Sequence, residues 1–246
     1  MEKLQRQRFE LKYMISEAKA QQIRFFVQNY LPCDPYGITQ PDLSYKVNSL
    51  YLDSNDLKTY QDTINGDRNR YKLRIRYYDY KDSPVYFEIK RRYDKVIRKK
   101  RARVHRWAVD ELLDGHYPTM DHLVHHSVEQ KNVLDEFSYL QNLLITKPTI
   151  HVSYKREAYE PLDNNTVRVT FDRQVRSKEV YGKCILSEES GSFDVFGDNV
   201  ILELKFTDRF PIWMQEMTQY FHLRKESAAK YVDSIEGLRF KRIEMV

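Results

Sequence analysis

Lys72, Arg74 and Arg76 alternate with Leu73, Ile75 and Tyr77, and Glu88 and Lys90 alternate with Phe87 and Ile89. Side chains along a strand point to opposite faces with period two. Segments 71–78 and 85–90 therefore each carry one charged and one apolar face, and Asp79 to Pro84 supplies turn residues between them. The spacing predicts a β-hairpin with three cations and a carboxylate–cation pair on a single face. Arginine suits phosphate because its guanidinium donates two parallel hydrogen bonds. Carboxylates among such cations fit a hard divalent metal shared with substrate phosphates. If that face looks at a ligand, its chemistry is the binding of a polyanion.

The arrangement recurs. Glu10 and Lys12 share a face of segment 7–14, Arg156 lies in 149–159, Arg168 and Asp172 in 167–172, and Glu203 and Lys205 in 200–206. Segment 96–107 is thick with cations: Arg98, Lys99, Lys100, Arg101, Arg103 and Arg106. A sheet that covers a core on one side gives the same alternation, with its charges in water. Two features favour another arrangement. The charged faces hold few Ser, Thr, Asn or Gln, and the helices carry apolar stripes that need a surface to cover. Strands closed into an antiparallel barrel satisfy both, with helices outside and charges in the lumen. Such a lumen would be costly dry and empty, and becomes reasonable when wet and filled by a polyanion with a bridging cation. The expected fold is α+β, a closed antiparallel β-barrel with a charged lumen, as a single domain over 1–246.

The helices that would cover this barrel are legible from caps and spacing. Ser16 reads as an N-cap, followed by Ile23, Phe26, Val27 and Tyr30, with Pro32 as the stop. Segment 45–53 is a strand, 54–63 a short helix, and Asn65-Gly66-Asp67 a turn. Helices are expected at 109–115 and 119–145, the latter with Leu123, Val133, Leu134, Phe137 and Leu140 as its buried stripe. Asn164-Asn165 turns the chain. Pro211 opens a helix through Met214 and Met217, and a last helix over 225–236 is stopped by Gly237.

Composition narrows the classes. Lys and Arg number 41 against 36 acidic residues, a net charge of +5, so the cations matter by placement and not by sum. Cys33 and Cys184 lie in no metal or redox spacing, and two cysteines exclude a disulfide framework. The first residues lack a signal-like apolar run, and no stretch of about 18 apolar residues occurs. A cytoplasmic protein is expected. The seven glycines form no Walker motif, so phosphate must be bound by side chains. His122 and His126 are one helical turn apart without a matching carboxylate motif, which favours a surface role over zinc. Carboxylates on the cationic faces would repel nucleic acid and disfavour it as a partner.

Phe9-Glu10-Leu11-Lys12-Tyr13, Leu73-Arg74-Ile75-Arg76, Phe87-Glu88-Ile89-Lys90, Tyr154-Lys155-Arg156, Val167-Arg168-Val169 and Leu202-Glu203-Leu204-Lys205 together resemble one known family. It is the catalytic domain of the vacuolar transporter chaperone (VTC), in the polyphosphate polymerase branch of the triphosphate tunnel metalloenzymes, or CYTH-like superfamily. The resemblance runs from about residue 7 to about 238. It implies an antiparallel tunnel in which the γ-phosphate of ATP is moved onto a growing polyphosphate chain. It also implies Mn²⁺ or Mg²⁺ as cofactor, ATP and inorganic polyphosphate as partners, and leaves room for a separate membrane protein.

Carried over residue by residue, the resemblance gives Arg74, Arg76, Lys90, Arg156, Arg168 and Lys205 to the transferring phosphates. Lys12, Lys100, Arg103, Tyr154 and Lys230 would bind substrate, and Glu203 with Glu88 the metal. Two positions depart from the pattern. The hydrolase branch opens with Glu-x-Glu-x-Lys, where this chain has Arg8 first, which favours the polymerase over a triphosphate or nucleoside triphosphate hydrolase. A serine commonly precedes the helix lysine in the polymerases, and here that residue is Ala229. A polyphosphate-binding module without catalysis is the third reading.

Overall fold

The computed structural model describes residues 8–78, 83–94, 96–164, 166–182 and 190–244. Residues 79–82 of the turn expected from Asp79 to Pro84, Asn165, Cys184 and the side chain of Arg8 lie outside the described residues. In chain order come β1 (Arg8–Ile15), α1 (Glu17–Val27), β2 (Ser44–Asp53), α2 (Lys58–Ile64) and β3 (Asn69–Tyr77). Next are β4 (Val85–Tyr93), β5 (Val96–Val104), α3 (Ala108–Leu113) and α4 (Val128–Leu143). Then follow β6 (Lys147–Tyr159), β7 (Val167–Glu179), the short β8 (Phe193–Asp194), β9 (Val200–Thr207), α5 (Ile212–Tyr220) and α6 (Lys230–Glu244).

The strands are ordered β1-β9-β7-β6-β2-β3-β4-β5, with β8 on β7. Among the described residues β1 and β5 end this order without pairing to each other, so the sheet is antiparallel but open. The closed barrel is thereby corrected. Val96 to Arg101 of β5 are exposed and mostly cationic, a composition that discourages a further strand at an edge. The α+β class and the helices lying on apolar faces hold.

The chain divides into two compact units, to which β2, β6 and β7 each contribute both of their halves. The first comprises 1–46, 154–175 and 196–229. Its core sets Tyr13, Val169, Phe171, Leu202 and Leu204 of the sheet against Ala20, Ile23 and Val27 of α1 and Met214 and Met217 of α5. Ser16 caps α1, accepting a hydrogen bond from the Lys19 N–H at 3.3 Å. Arg24 of α1 reaches the buried Glu157 of β6 at 2.6 Å, and Arg173 of β7 and the Tyr159 hydroxyl also donate to that carboxylate, at 2.8 and 2.6 Å.

The second unit comprises 47–153, 176–195 and 230–246. Leu73, Ile75, Phe87, Ile89 and Val104 pack against Leu112 of α3 and Leu134, Phe137 and Leu140 of α4. Each such side chain fully buried stabilises by roughly 1.5–3 kcal/mol. The expected helix over 119–145 is interrupted: a 3₁₀ turn at Met120–His122 precedes α4, whose cap is Ser127. His122 is buried there, and its Nδ1 accepts from the Thr119 N–H at 3.0 Å.

The last helix also differs. It begins at Lys230 and passes through Gly237 to Glu244, so that glycine does not stop it. A Cβ at Gly237 would lie 2.7 Å from the Phe193 ring, and glycine is used there for close approach.

Candidate active site

In the second unit, β3, β4 and β5 pair so that Arg74, Glu88 and Arg101 stand opposite one another, as do Lys72, Lys90 and Lys99. Directly opposed residues share a face. One face therefore gathers Arg70, Lys72, Arg74 and Arg76 of β3, Lys90 and Arg92 of β4, and Lys99, Arg101 and Arg103 of β5. Glu88 is the carboxylate among them. Arg74 Nε donates to Glu88 Oε2 at 2.6 Å, and Lys99 pairs with the other carboxylate oxygen. Burial would raise the Glu88 carboxyl, but Arg74, Arg76 and Lys99 hold it far below the usual carboxylate range. Arg76 is buried and donates to Ser49 Oγ at 3.4 Å. Lys100 belongs to the opposite face, where it pairs with Glu136 of α4 at 2.6 Å, and Lys99 rather than Lys100 stands with Arg74. Lys230 opens α6, next to Tyr231.

In the first unit, Lys12, Glu203 and Thr170 are opposed across β1, β9 and β7, and Glu10, Lys205 and Arg168 form the adjacent row. Glu203 is 4% exposed, yet three cations converge on it: Lys205 at 3.1 Å, Arg156 at 3.6 Å and Lys12 at 3.9 Å. Burial would raise its carboxyl; Lys205, a hydrogen bond with Glu10, Lys12 and Arg156 bring it well below the ordinary value. Burial brings Lys205 down to about 8, against the pull of Glu203 and Glu10. Arg156 is held by Asp172 through two hydrogen bonds of 2.7 Å and lies over the Tyr154 ring at 5.2 Å. Arg168 is shared by Asp34 at 3.0 Å, Tyr45 at 3.2 Å and Glu160 at 2.9 Å. Lys12 Nζ also donates to the Ala228 carbonyl at 2.9 Å.

The family model described as the VTC domain matches residues 7–239. The chain belongs to the VTC-domain family. No curated protein matches the sequence. Among solved structures, a Hippeastrum candidate adenylyl cyclase, described with a dominant triphosphatase activity, is 13% identical with a TM-score of 0.54. The match covers 94% of this chain and 96% of that one. A candidate adenylate cyclase from Bacillus halodurans is 14% identical with a TM-score of 0.50, over 91% of this chain and 94% of that one. At such identities the likeness shows the fold. The VTC domain thus shares the fold of these two structures.

The resemblance read in the sequence implies a divalent metal. Among the described residues no three His, Cys, Asp or Glu side chains converge as a ready-made cage. Glu10 and Glu203 do meet within hydrogen-bond reach, with cations around them. One or two carboxylates completed by substrate phosphates is how Mg²⁺-like ions are commonly held. The donor set of the VTC domain therefore fits such an ion.

Two partners of the site, Glu10 and Asp34, were given no role from the sequence. Glu10 carries a signal, since it shares a face with Lys12 and alternates with Phe9 and Leu11. Asp34 carries none. It is one acidic residue in a Pro- and Gly-marked loop, yet it is buried and accepts from Gly37 N–H, Tyr45 and Arg168. Among the described residues no helix is long and apolar enough to cross a membrane.

Proposed function

We propose that the protein is an ATP-dependent polyphosphate polymerase that moves the γ-phosphate of ATP onto the end of a polyphosphate chain. The observation that carries this reading is the cationic face of β3, β4 and β5, where nine Lys and Arg side chains accompany the carboxylate Glu88. Phosphoryl transfer asks a protein for positioning and charge stabilisation more than for a covalent nucleophile. Arg74, Arg76 and Lys90 in one unit, and Arg156, Arg168, Lys205 and Lys12 in the other, bind and orient phosphate oxygens. Lys99 and Arg103 extend the first set, Tyr154 backs Arg156, and Lys230 adds a cation at the start of α6. Glu203 would hold the divalent ion, which when bound neutralises developing phosphate charge. Its second carboxylate would be Glu10 in place of the expected Glu88, whose oxygens are taken by Arg74 and Lys99. The partners are ATP and inorganic polyphosphate, and the chain acts as one domain over 1–246.

Hydrolysis of a triphosphate is the second reading, favoured by the triphosphatase activity described for the Hippeastrum protein. Arg8 in place of the first glutamate of Glu-x-Glu-x-Lys weighs against it. Replacing Glu203 by Gln is expected to lower ATP turnover about 100-fold or more, the scale of losing a group that organises transition-state charge. Turnover is measured as ADP release with Mn²⁺ or Mg²⁺. A Glu203→Gln enzyme as fast as the unaltered one would overturn the assignment.

A further inference from the structure

Tyr51 of β2 stands directly opposite Arg74 of β3 on the charged face of the second unit, and the proposed function gives it no part. The residue is 7% exposed. Its ring stacks on Tyr231 of α6 with centroids 4.9 Å apart. Tyr231 in turn donates its hydroxyl to Asp53, a carboxylate that also accepts the Thr59 and Tyr60 N–H groups at 2.9 and 3.0 Å. The Tyr51 ring is thus fixed from behind by α6 and the start of α2. Its oxygen accepts a hydrogen bond from Arg74 Nη1 at 3.3 Å.

A phenol can donate one hydrogen bond as well as accept. Among the described residues, no side chain or carbonyl accepts the Tyr51 proton. A rigid donor beside phosphate-binding cations lacks one thing, an anionic oxygen. We propose that Tyr51 is a substrate-binding residue whose hydroxyl donates to a phosphate oxygen held by Arg74, so that the site binds polyphosphate through a neutral donor as well as through cations. This rests on the polyphosphate reading of the site. No bond is made or broken at the phenol.

The charged groups that act on the Tyr51 phenol are Arg74, Arg76 and Lys72 of β3. Glu88 of β4 and Lys99 of β5 lie beyond Arg74 on the same face, and β6 on the other side of β2 carries the buried His151. Asp53 lies on its own strand, and Lys230 and Tyr231 on α6. Burial would raise the phenol, yet Arg74, Arg76 and Lys72 bring it down to about 8. Below that value the neutral hydroxyl donates to phosphate. Above it a phenolate repels phosphate, so the contribution of Tyr51 is lost as the pH rises.

The test is calorimetric binding of inorganic tripolyphosphate to the whole protein and to Tyr51→Phe, at pH 7 and pH 9.5. The phenylalanine keeps the ring and removes the donor. The variant should bind about 5- to 10-fold more weakly at pH 7, the scale of one hydrogen bond to a charged group. At pH 9.5 that deficit should vanish or reverse. Lysine deprotonation weakens both proteins alike and cancels in the ratio. Equal affinities at pH 7, or the same deficit at both pH values, would overturn the inference while leaving the polyphosphate reading intact. Failure of the unaltered protein to bind tripolyphosphate at either pH would overturn both. Should Tyr51→Phe not fold, 3-fluorotyrosine placed at position 51 keeps the contacts and acidifies the phenol. Its alkaline loss of binding should then begin at lower pH than in the unaltered protein, and an unmoved profile would overturn the inference.

Discussion

At the scale of single residues, the charged faces are built from ions that compensate one another, with cations in excess on β3, β4 and β5. Glu88 is 2% exposed and pairs with both Arg74 and Lys99, so removing it strands two cations on a partly buried face. Breaking a buried pair by deleting one partner costs about 3–5 kcal/mol. Because the folded Glu88 carboxyl lies far below its unfolded value of about 4.3, its stabilisation is complete above that value and fades as the pH falls beneath it. Glu88→Gln should therefore be much less stable at pH 7, with the gap to the unaltered protein narrowing toward pH 3. Urea unfolding across that range checks it, and two parallel curves would contradict it. The alternation of Glu88 with Phe87 and Ile89 made this residue visible in the sequence. Its partner Lys99 was harder to separate from Lys100, because in a run of consecutive cations only the register with β4 decides which side each one takes.

At the scale of elements, period-two alternation located β1, β3, β4, β7 and β9, because each has one face on a core and one charged. Helices were legible where a cap and an apolar stripe agreed, as at Ser16 and α1. They were misjudged where tertiary packing overrode a local signal. The break before α4 follows from the buried His122 and its turn, whose apolar neighbours read as a continuous helical stripe. Gly237 looked like a stop and is instead a contact point for Phe193. A methyl group there meets the ring, so Gly237→Ala should destabilise by about 1–3 kcal/mol despite alanine's better helix propensity. Thermal unfolding of Gly237→Ala alone and combined with Phe193→Leu tests this. The smaller side chain should recover most of the loss, and a Gly237→Ala protein that melts higher than the unaltered one would refute the packing argument.

At the scale of the whole molecule, the α+β class and the VTC-domain family were accessible from strand patterns spread along nearly the entire chain. Closure of the sheet was not. Alternation says which face of a strand is charged and nothing about which strands pair at the two ends of a sheet, and here β1 and β5 remain ends among the described residues. The chemistry likewise depends on the fate of one phosphoryl group. The deciding measurement is a time course with ATP, a short polyphosphate primer and Mn²⁺ or Mg²⁺, following ADP, free phosphate and polymer length in the same samples. The polymerase account predicts ADP released in step with polymer growth, little free phosphate, and loss of all of it on chelation of the metal. Free phosphate matching ADP, with a primer that never lengthens, would contradict it.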